Sequence, residues 1–210
     1  MSKETLNLMM SLNQKELETQ IGLQCAPLLT GVKISNLLTA DRKFRSDIIR
    51  LFQKTAVSCY LLYESDQKVT FLLYIKEQLI QYLDKEDVRR LMEKFGYYHG
   101  SGEPIPLGSF LRQVSVRYRA HMEKKAGFPH EIGLMLGYPA EDVIGFIENN
   151  GQNCLYIGYW KVYSKPAERR RIFDGYNRAR EQVIRMISGG MNIRNILERY
   201  QLHSYKSIAI

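Results

Sequence analysis

Three residues of this 210-residue chain have side chains that could together support nucleophilic chemistry: Cys25, His130 and Glu131. The thiolate is the reactive form of cysteine, and a nearby imidazole lowers the pKa of the thiol and relays its proton. A carboxylate can hold that imidazole in one tautomer. These residue types therefore predict a candidate catalytic site for a transferase or hydrolase, in which Cys25 is the nucleophile, His130 the base and Glu131 the orienting group.

The same three residues also have ordinary structural explanations. Cys25 lies near the end of a predicted amphipathic helix, where cysteine is most often a small buried hydrophobic residue. His130 and Glu131 follow Pro129 at a predicted helix start, where they suit free N–H groups and the helix dipole. The sequence leaves both interpretations open, and it does not decide whether the chain is an enzyme.

Sequence motifs for a bound metal or cofactor are absent. No HExxH, HxH or paired-cysteine spacing supports a metal site, and Cys59 and Cys154 fall in predicted strands as core thiols. The segment GSGEP at 100–104 is not followed by the Lys-Ser/Thr pair of a phosphate-binding loop. We therefore predict no metal and identify no cofactor.

Basic residues are concentrated in two predicted helices, at 109–125 and 167–187. The formal net charge is +8, and the pI is near 9.3. In the second of these helices, residues 167–187, Arg169, Arg170 and Arg171 are candidates for contacts with phosphates. Apolar residues at 172, 176, 183 and 187 predict the buried side, so the arginines should face water or a partner. The helix is a candidate surface for a protein partner or for nucleic acid; a solvated helix face is the simpler interpretation.

Composition and length are typical of one folded domain, with 45% hydrophobic and 25% charged residues. No window approaches the 18 apolar residues of a membrane span, and the N-terminus lacks the plan of a signal peptide. We therefore expect a cytoplasmic protein without a membrane span. We predict a single domain over residues 1–188, followed by a C-terminal amphipathic helix and tail over 189–210.

Hydrophobic periodicity and turn residues predict a mixed architecture. Apolar residues at helical spacing predict a first helix over 3–23, after which Pro27 interrupts the pattern. They predict further helices at 41–54, 76–83, 85–95, 109–125 and 167–187. Two short helices should begin at Pro129 and Pro139, and a last one should end near Tyr200. A β-hairpin over 57–75 and a third strand over 154–163 should form one sheet. The predicted fold class is α+β: a small, mostly antiparallel sheet covered by helices.

The predicted third strand, CLYIGYWKVY, is rich in aromatic residues, which suit a surface that stacks flat ligands. Side chains alternate along a strand, so Tyr156 and Trp160 should lie on one side, and Tyr159 and Tyr163 near the other. One pair should be core, and the other should line a shallow pocket.

Two segments carry a family resemblance. Residues 128–163, FPHEIGLMLGYPAEDVIGFIENNGQNCLYIGYWKVY, closely resemble the signature of a bacterial family that is catalogued only as a domain of unknown function. Residues 25–38, CAPLLTGVKISNLL, match a second block. We call these the second and first family blocks. The resemblance implies a bacterial source and no established activity. A binding or interaction protein is the favoured hypothesis because it requires no special geometry, whereas a catalytic site needs groups within hydrogen-bond reach of each other. The alternatives are the Cys25–His130 enzyme and the nucleic-acid or phosphate binder.

Overall fold

A computed structural model of the chain describes residues 3–97 and 103–200. The helices are α1 (Lys3–Ser11), α2 (Leu17–Leu29), α3 (Arg45–Phe52), α4 (Lys76–Leu83), α5 (Glu86–Lys94), α6 (Leu107–Met122), α7 (Ile132–Met135), α8 (Ala140–Glu148), α9 (Pro166–Ser188) and α10 (Ile193–Arg199). The strands are β1 (Ser35–Asp41), β2 (Val57–Glu64), β3 (Lys68–Ile75), β4 (Tyr156–Ile157) and β5 (Lys161–Val162). This mixture confirms the α+β fold class.

Contacts divide the chain into two compact units. The sheet unit comprises residues 1–76 and 175–210, and the helical unit comprises residues 77–174. The division falls within helix α9. The predicted domain boundary at residue 188 stays a prediction, and residues 201–210 of the predicted C-terminal segment lie outside the described residues.

The sheet unit is built on a three-stranded antiparallel sheet in the order β1-β3-β2. The β2–β3 hairpin confirms the strand prediction over 57–75, and Cys59 lies opposite Leu73 in its register. Central strand β3 is buried along almost its whole length, as its near-continuous apolar sequence requires. On its other side β3 pairs with β1, where Leu38 lies opposite Phe71.

The prediction that residues 154–163 supply the third strand of this sheet is wrong. Instead β4 and β5 form a separate two-stranded antiparallel hairpin in the helical unit. The chain reverses at Gly158, whose N–H donates to the Trp160 carbonyl oxygen at 3.1 Å. The segment therefore folds back on itself where unbroken strand periodicity predicted one extended strand.

One face of the sheet carries the core of the sheet unit. Helices α2, α3 and α10 and the C-terminal part of α9 pack there through apolar side chains. The helices contribute Ile21, Cys25, Leu28, Ile48, Phe52, Val183, Ile193, Ile196 and Leu197. The strands contribute Leu38, Val57, Val69, Phe71 and Leu73. Burying this apolar area is the main free-energy term that holds the helices on the sheet.

Two details of the first helices differ from the prediction. Residues 3–29 form two helices because Asn13 turns the chain between them: its side-chain oxygen accepts from the N–H of Lys15, and its carbonyl oxygen accepts from the N–H of Glu16. Pro27 does not interrupt α2, which continues to Leu29. A proline in the last turn removes a single helical hydrogen bond, and the Pro27 carbonyl oxygen accepts from both Val32 and Lys33.

The helical unit packs α4–α8 and the start of α9 around apolar side chains, with the β4–β5 hairpin at its edge. Helices α5 and α7 and strand β5 contact α8. The helices predicted at 76–83, 85–95, 109–125 and 167–187 are confirmed, with ends shifted by at most three residues. Those predicted to begin at Pro129 and Pro139 begin at Ile132 and Ala140.

Candidate interaction surface and buried polar clusters

Cys25 lies in α2, within the core of the sheet unit, and its side chain is fully buried. The Asn36 amide nitrogen donates to the Cys25 sulfur at 3.5 Å, and the sulfur lies 3.9 Å from the Leu37 carbonyl oxygen. Burial raises the pKa of the Cys25 thiol to about 12. The thiol is therefore protonated at neutral pH, and the reactive thiolate is disfavoured.

A lysine that the sequence analysis did not single out completes this cluster. Lys33 is only 6% exposed, and its ammonium donates to the Asn36 side-chain oxygen at 3.1 Å. Burial lowers the pKa of Lys33 to about 8, against a smaller opposing effect of Cys25. The first family block thus brings a thiol, an amide and an amine together. The signal in the sequence for a buried lysine was the position of Lys33 between two apolar residues in the segment GVKIS.

Glu131 and His130 lie in the helical unit, with different surroundings. Glu131 is buried, and its carboxylate accepts from the Tyr97 hydroxyl at 3.0 Å and from Arg117 Nη1 at 2.9 Å. Arg117 also donates to the Phe95 carbonyl oxygen at 2.7 Å. These bonds tie α6 to the end of α5 and the start of α7.

The predicted catalytic residues thus belong to different units: Cys25 to the sheet unit, and His130 and Glu131 to the helical unit. Their joint catalytic role stays a prediction. No group of three or more His, Cys, Asp or Glu side chains arranged to hold a metal ion occurs among residues 3–97 and 103–200.

Asp142 is the most heavily bonded carboxylate of the second family block. It is buried in α8 and accepts from Trp160 Nε1 at 2.9 Å, from the backbone N–H groups of Tyr163 and Ser164 at 2.8 and 2.9 Å, and from Arg169 Nε at 3.1 Å. Neighbouring Glu141 accepts from Arg169 Nη2 at 2.9 Å. Hydrogen bonds from Lys165 and Ser164 lower the pKa of Glu141.

The three consecutive arginines of α9 differ from one another. Arg169 is only 7% exposed and is ion-paired with Asp142 and Glu141, so the expectation that it faces water or a partner is wrong. Arg170 is exposed, and its guanidinium carbon lies 4.9 Å from the centre of the Tyr156 ring. Arg171 is exposed. Their contacts with phosphate stay a prediction.

Glycines of the second family block allow close approach of its elements. A Cβ atom at Gly145 of α8 would overlap the Tyr163 side chain, and one at Gly158 would overlap the Phe173 ring. A Cβ at Gly133 would lie 2.9 Å from Val143. These spacings explain glycine at all three positions by packing alone.

The aromatic residues of the hairpin are not divided as strand parity predicted. Tyr156, Tyr159 and Trp160 all contact Phe173, with ring centres 5.8, 5.6 and 4.5 Å away. The assignment of Tyr159 to the opposite side is wrong, because the hairpin turns at Gly158. Trp160 is buried and also stacks on Tyr138 at 4.8 Å.

Tyr163 instead continues a run of aromatic rings that reaches the surface of the helical unit. Neighbouring ring centres lie 6.4 Å apart between Tyr163 and Phe146, 5.6 Å between Phe146 and His130, and 5.9 Å between His130 and Phe128. Phe128 ends the run and is 45% exposed. His121, at the end of α6, contacts Phe128 at 5.3 Å.

The hairpin extends this run with aliphatic side chains. Leu155 and Ile157 are 61% and 65% exposed. Ile157 lies opposite Lys161, whose ammonium lies 5.8 Å from the centre of the Phe146 ring. We call this set the aromatic surface: Phe128, His130, Phe146, Leu155, Ile157, Lys161 and Tyr163.

Comparisons with known proteins complete this description. No helix in the described part of the chain has both the length and the apolar composition to span a bilayer. The chain matches no curated protein and no solved structure. Residues 21–197, most of the chain and both family blocks, match the family described as "Protein of unknown function (DUF3793)". The chain therefore belongs to the DUF3793 family.

Proposed function

We propose that this protein is a cytoplasmic interaction protein, and that its aromatic surface binds an acidic, amphipathic segment of a partner protein. The observation that carries the proposal is the exposure of Phe128 at the end of a run of contacting rings, and of Leu155 and Ile157 in the hairpin segment whose Lys161 lies over the Phe146 ring. Exposed apolar patches with polar rims are typical of interaction sites, and aromatic residues are enriched in them.

The charge around this surface favours an acidic partner. Lys161 lies within it, and exposed Lys124 and Lys125 come shortly before Phe128 in the chain. Lys125 is bonded to Glu123 at 2.6 Å, whereas Lys161 donates to the Gly151 carbonyl oxygen. A chain with a net charge of +8 also attracts acidic partners over long range.

The buried polar groups of the second family block support binding over catalysis. Asp142, Arg169 and Glu131 are engaged by partners within the helical unit, which makes them architectural. Burial keeps the Cys25 thiol protonated, since its pKa is raised to about 12. Phe128, Leu155 and Ile157 are exposed in the block beside polar residues such as Glu148 and Gln152, and apolar side chains with polar neighbours suit recognition of a partner.

The experiment measures binding of a fluorescent synthetic peptide by anisotropy. The peptide alternates leucine with glutamate, and two variants replace its leucines by serine or its glutamates by lysine. We expect the unaltered chain to bind the acidic peptide alone, with affinity that falls as salt is raised. Leu155→Ser with Ile157→Ser should weaken binding about tenfold or more, because buried apolar anchors dominate such interfaces.

A matched control replaces two exposed aliphatic residues of the sheet unit, Val32→Ser with Ile49→Ser, which are 51% and 37% exposed. This control should bind the acidic peptide like the unaltered chain. The proposal fails if the acidic peptide does not bind or if both double variants bind it equally. Tighter binding of a 20-base-pair DNA than of the peptide, unaffected at Leu155 and Ile157, would support the nucleic-acid hypothesis instead.

A further inference from the structure

An open cleft of about 770 Å³ lies within the sheet unit, and none of its lining residues belongs to the aromatic surface. Three segments line it: the start of α2, helix α3 with the preceding Phe44, and the chain from the end of α9 into α10. Its floor is apolar and consists of Leu17, Phe44, Leu51, Ile187 and Met191. All five are partly buried side chains that pack against the core of the sheet unit. A cleft of this volume suits a small ligand.

The carboxylates at the rim of this cleft already have partners. Glu18 accepts from the Ile193 N–H at 2.8 Å at the start of α10. Glu16 accepts from the Asn13 amide at 3.0 Å, and Asp47 lies 3.4 Å from Arg50 Nη1. Of these contacts, the Glu18 bond ties α2 to the start of α10, whereas the exposed Asp47–Arg50 pair contributes little to stability.

Arg194 differs from these rim groups. Its Nη2 donates to the Arg50 carbonyl oxygen at 2.8 Å, which positions the guanidinium at the cleft. Among the carboxylates that the structure describes, none lies within 4.0 Å of Arg194. The cleft thus combines an apolar floor with a cation that has no counter-ion there.

We propose that this cleft binds a small amphipathic carboxylate, with its alkyl chain on the apolar floor and its carboxylate on Arg194. A guanidinium presents several N–H donors in one plane, which suits a carboxylate, and such charge-assisted hydrogen bonds are stronger than neutral ones. The floor supplies the remaining affinity by removing the alkyl chain from water. This site is independent of the aromatic surface and of its partner.

The test titrates the full chain with decanoate, below its micellar concentration, by isothermal calorimetry. Acetate lacks the alkyl chain, and decyltrimethylammonium carries the same chain with the opposite charge. We expect decanoate to bind at one site. Acetate should bind at least about tenfold more weakly because it lacks the buried alkyl chain. Decyltrimethylammonium should bind at least about tenfold more weakly because it cannot accept the charge-assisted hydrogen bond from Arg194. These comparisons use the unaltered protein, so they do not depend on the folding of a variant.

Two matched variants locate the head group. Arg194→Gln should weaken decanoate binding about tenfold or more, whereas Arg199→Gln, on an exposed residue of the same helix and outside the cleft lining, should leave it unchanged. Circular dichroism checks that both variants are folded. Equal binding of decanoate and decyltrimethylammonium, binding unaffected by Arg194→Gln, or no binding of decanoate would each overturn the proposal.

Discussion

The two family blocks both bury ionisable side chains, but they surround them differently. In the second block, the carboxylates of Asp142 and Glu131 are each matched by an arginine and by further N–H or O–H donors. In the first block, the Lys33 ammonium donates to a neutral amide oxygen, and burial lowers its pKa to about 8. A matched buried charge fixes the relative positions of elements, whereas a buried amine with a lowered pKa opposes folding at neutral pH.

The largest expected effect is the loss of the Asp142 carboxylate. Asp142→Asn removes the buried carboxylate beside Arg169, whose guanidinium then keeps the half-exposed Glu141 carboxylate, and weakens the bonds to Trp160 and to the β5 end of the hairpin. Breaking one side of a buried ion pair typically costs about 3–5 kcal/mol, and urea unfolding measures the free energy of unfolding. Glu141→Gln, at a carboxylate that is 45% exposed, is the matched control and should cost about 1 kcal/mol or less. Equal losses of unfolding free energy in the two variants would show that the buried Asp142 carboxylate contributes no more than the exposed Glu141 carboxylate.

The second prediction concerns the pH dependence that Lys33 introduces. Because its pKa is about 8 in the folded chain and near 10.5 when unfolded, the unfolded state binds more protons between these values. The contribution of Lys33 to stability therefore rises with pH across this window. Lys33→Met removes that dependence, so the variant should be the more stable protein at pH 7, by up to about 3 kcal/mol, with the difference shrinking toward pH 10.5.

The buried thiols have the opposite effect on the pH dependence of stability, both in the unaltered chain and in Lys33→Met. Burial raises the pKa of Cys25 and of Cys59 to about 12, so the folded state retains their protons above pH 9 and stability falls as pH rises. Comparing the two proteins at each pH by urea unfolding largely removes this shared term. Lys15→Met, at an exposed lysine, is the control and should show no such change. A constant difference between Lys33→Met and the unaltered chain would show that Lys33 is not destabilised by burial.

The smallest expected effect tests whether the second block is shaped by packing. Gly145→Ala should destabilise the chain by about 1–3 kcal/mol, because its added methyl group overlaps the Tyr163 side chain. Helix propensity alone predicts the opposite sign, since alanine is favoured over glycine inside a helix. The control is Gly108→Ala in α6, where no atom lies within 4 Å of the new Cβ, and it should be neutral or stabilising. Thermal unfolding that gives both variants the same sign would contradict the packing explanation.

Periodicity was a good guide wherever a segment is amphipathic over its full length. Helix α9 and the β2–β3 hairpin have long regular patterns, and their predicted extents match the structure closely. Strand β1 was missed because its polar residues Ser35, Asn36 and Thr39 interrupt the apolar pattern. Those residues find partners through the fold: the Asn36 side chain bonds Gln24 and Cys25, and the Thr39 hydroxyl pairs with that of Thr70.

The candidate site residues were only partly predictable. Residue type singles out Cys25, His130 and Glu131, but it does not indicate which other side chains each of them contacts in the fold. Lys33 and Asp142 have the most unusual surroundings, yet neither belongs to a recognisable catalytic motif. Exposure of Leu155 and Ile157 follows from the reversal of the chain at Gly158, and strand periodicity could not indicate that reversal.

By itself, the sequence determined the α+β class, the positions of most helices and the hairpin, and the membership suggested by the two family blocks, since these depend on local periodicity and on residue order. Tertiary structure alone decided which strand joins the sheet, which arginine of α9 is buried, and which apolar residues stay exposed. These outcomes depend on contacts between segments distant in the chain, such as Asp142 with Arg169, whose free energies no local pattern encodes.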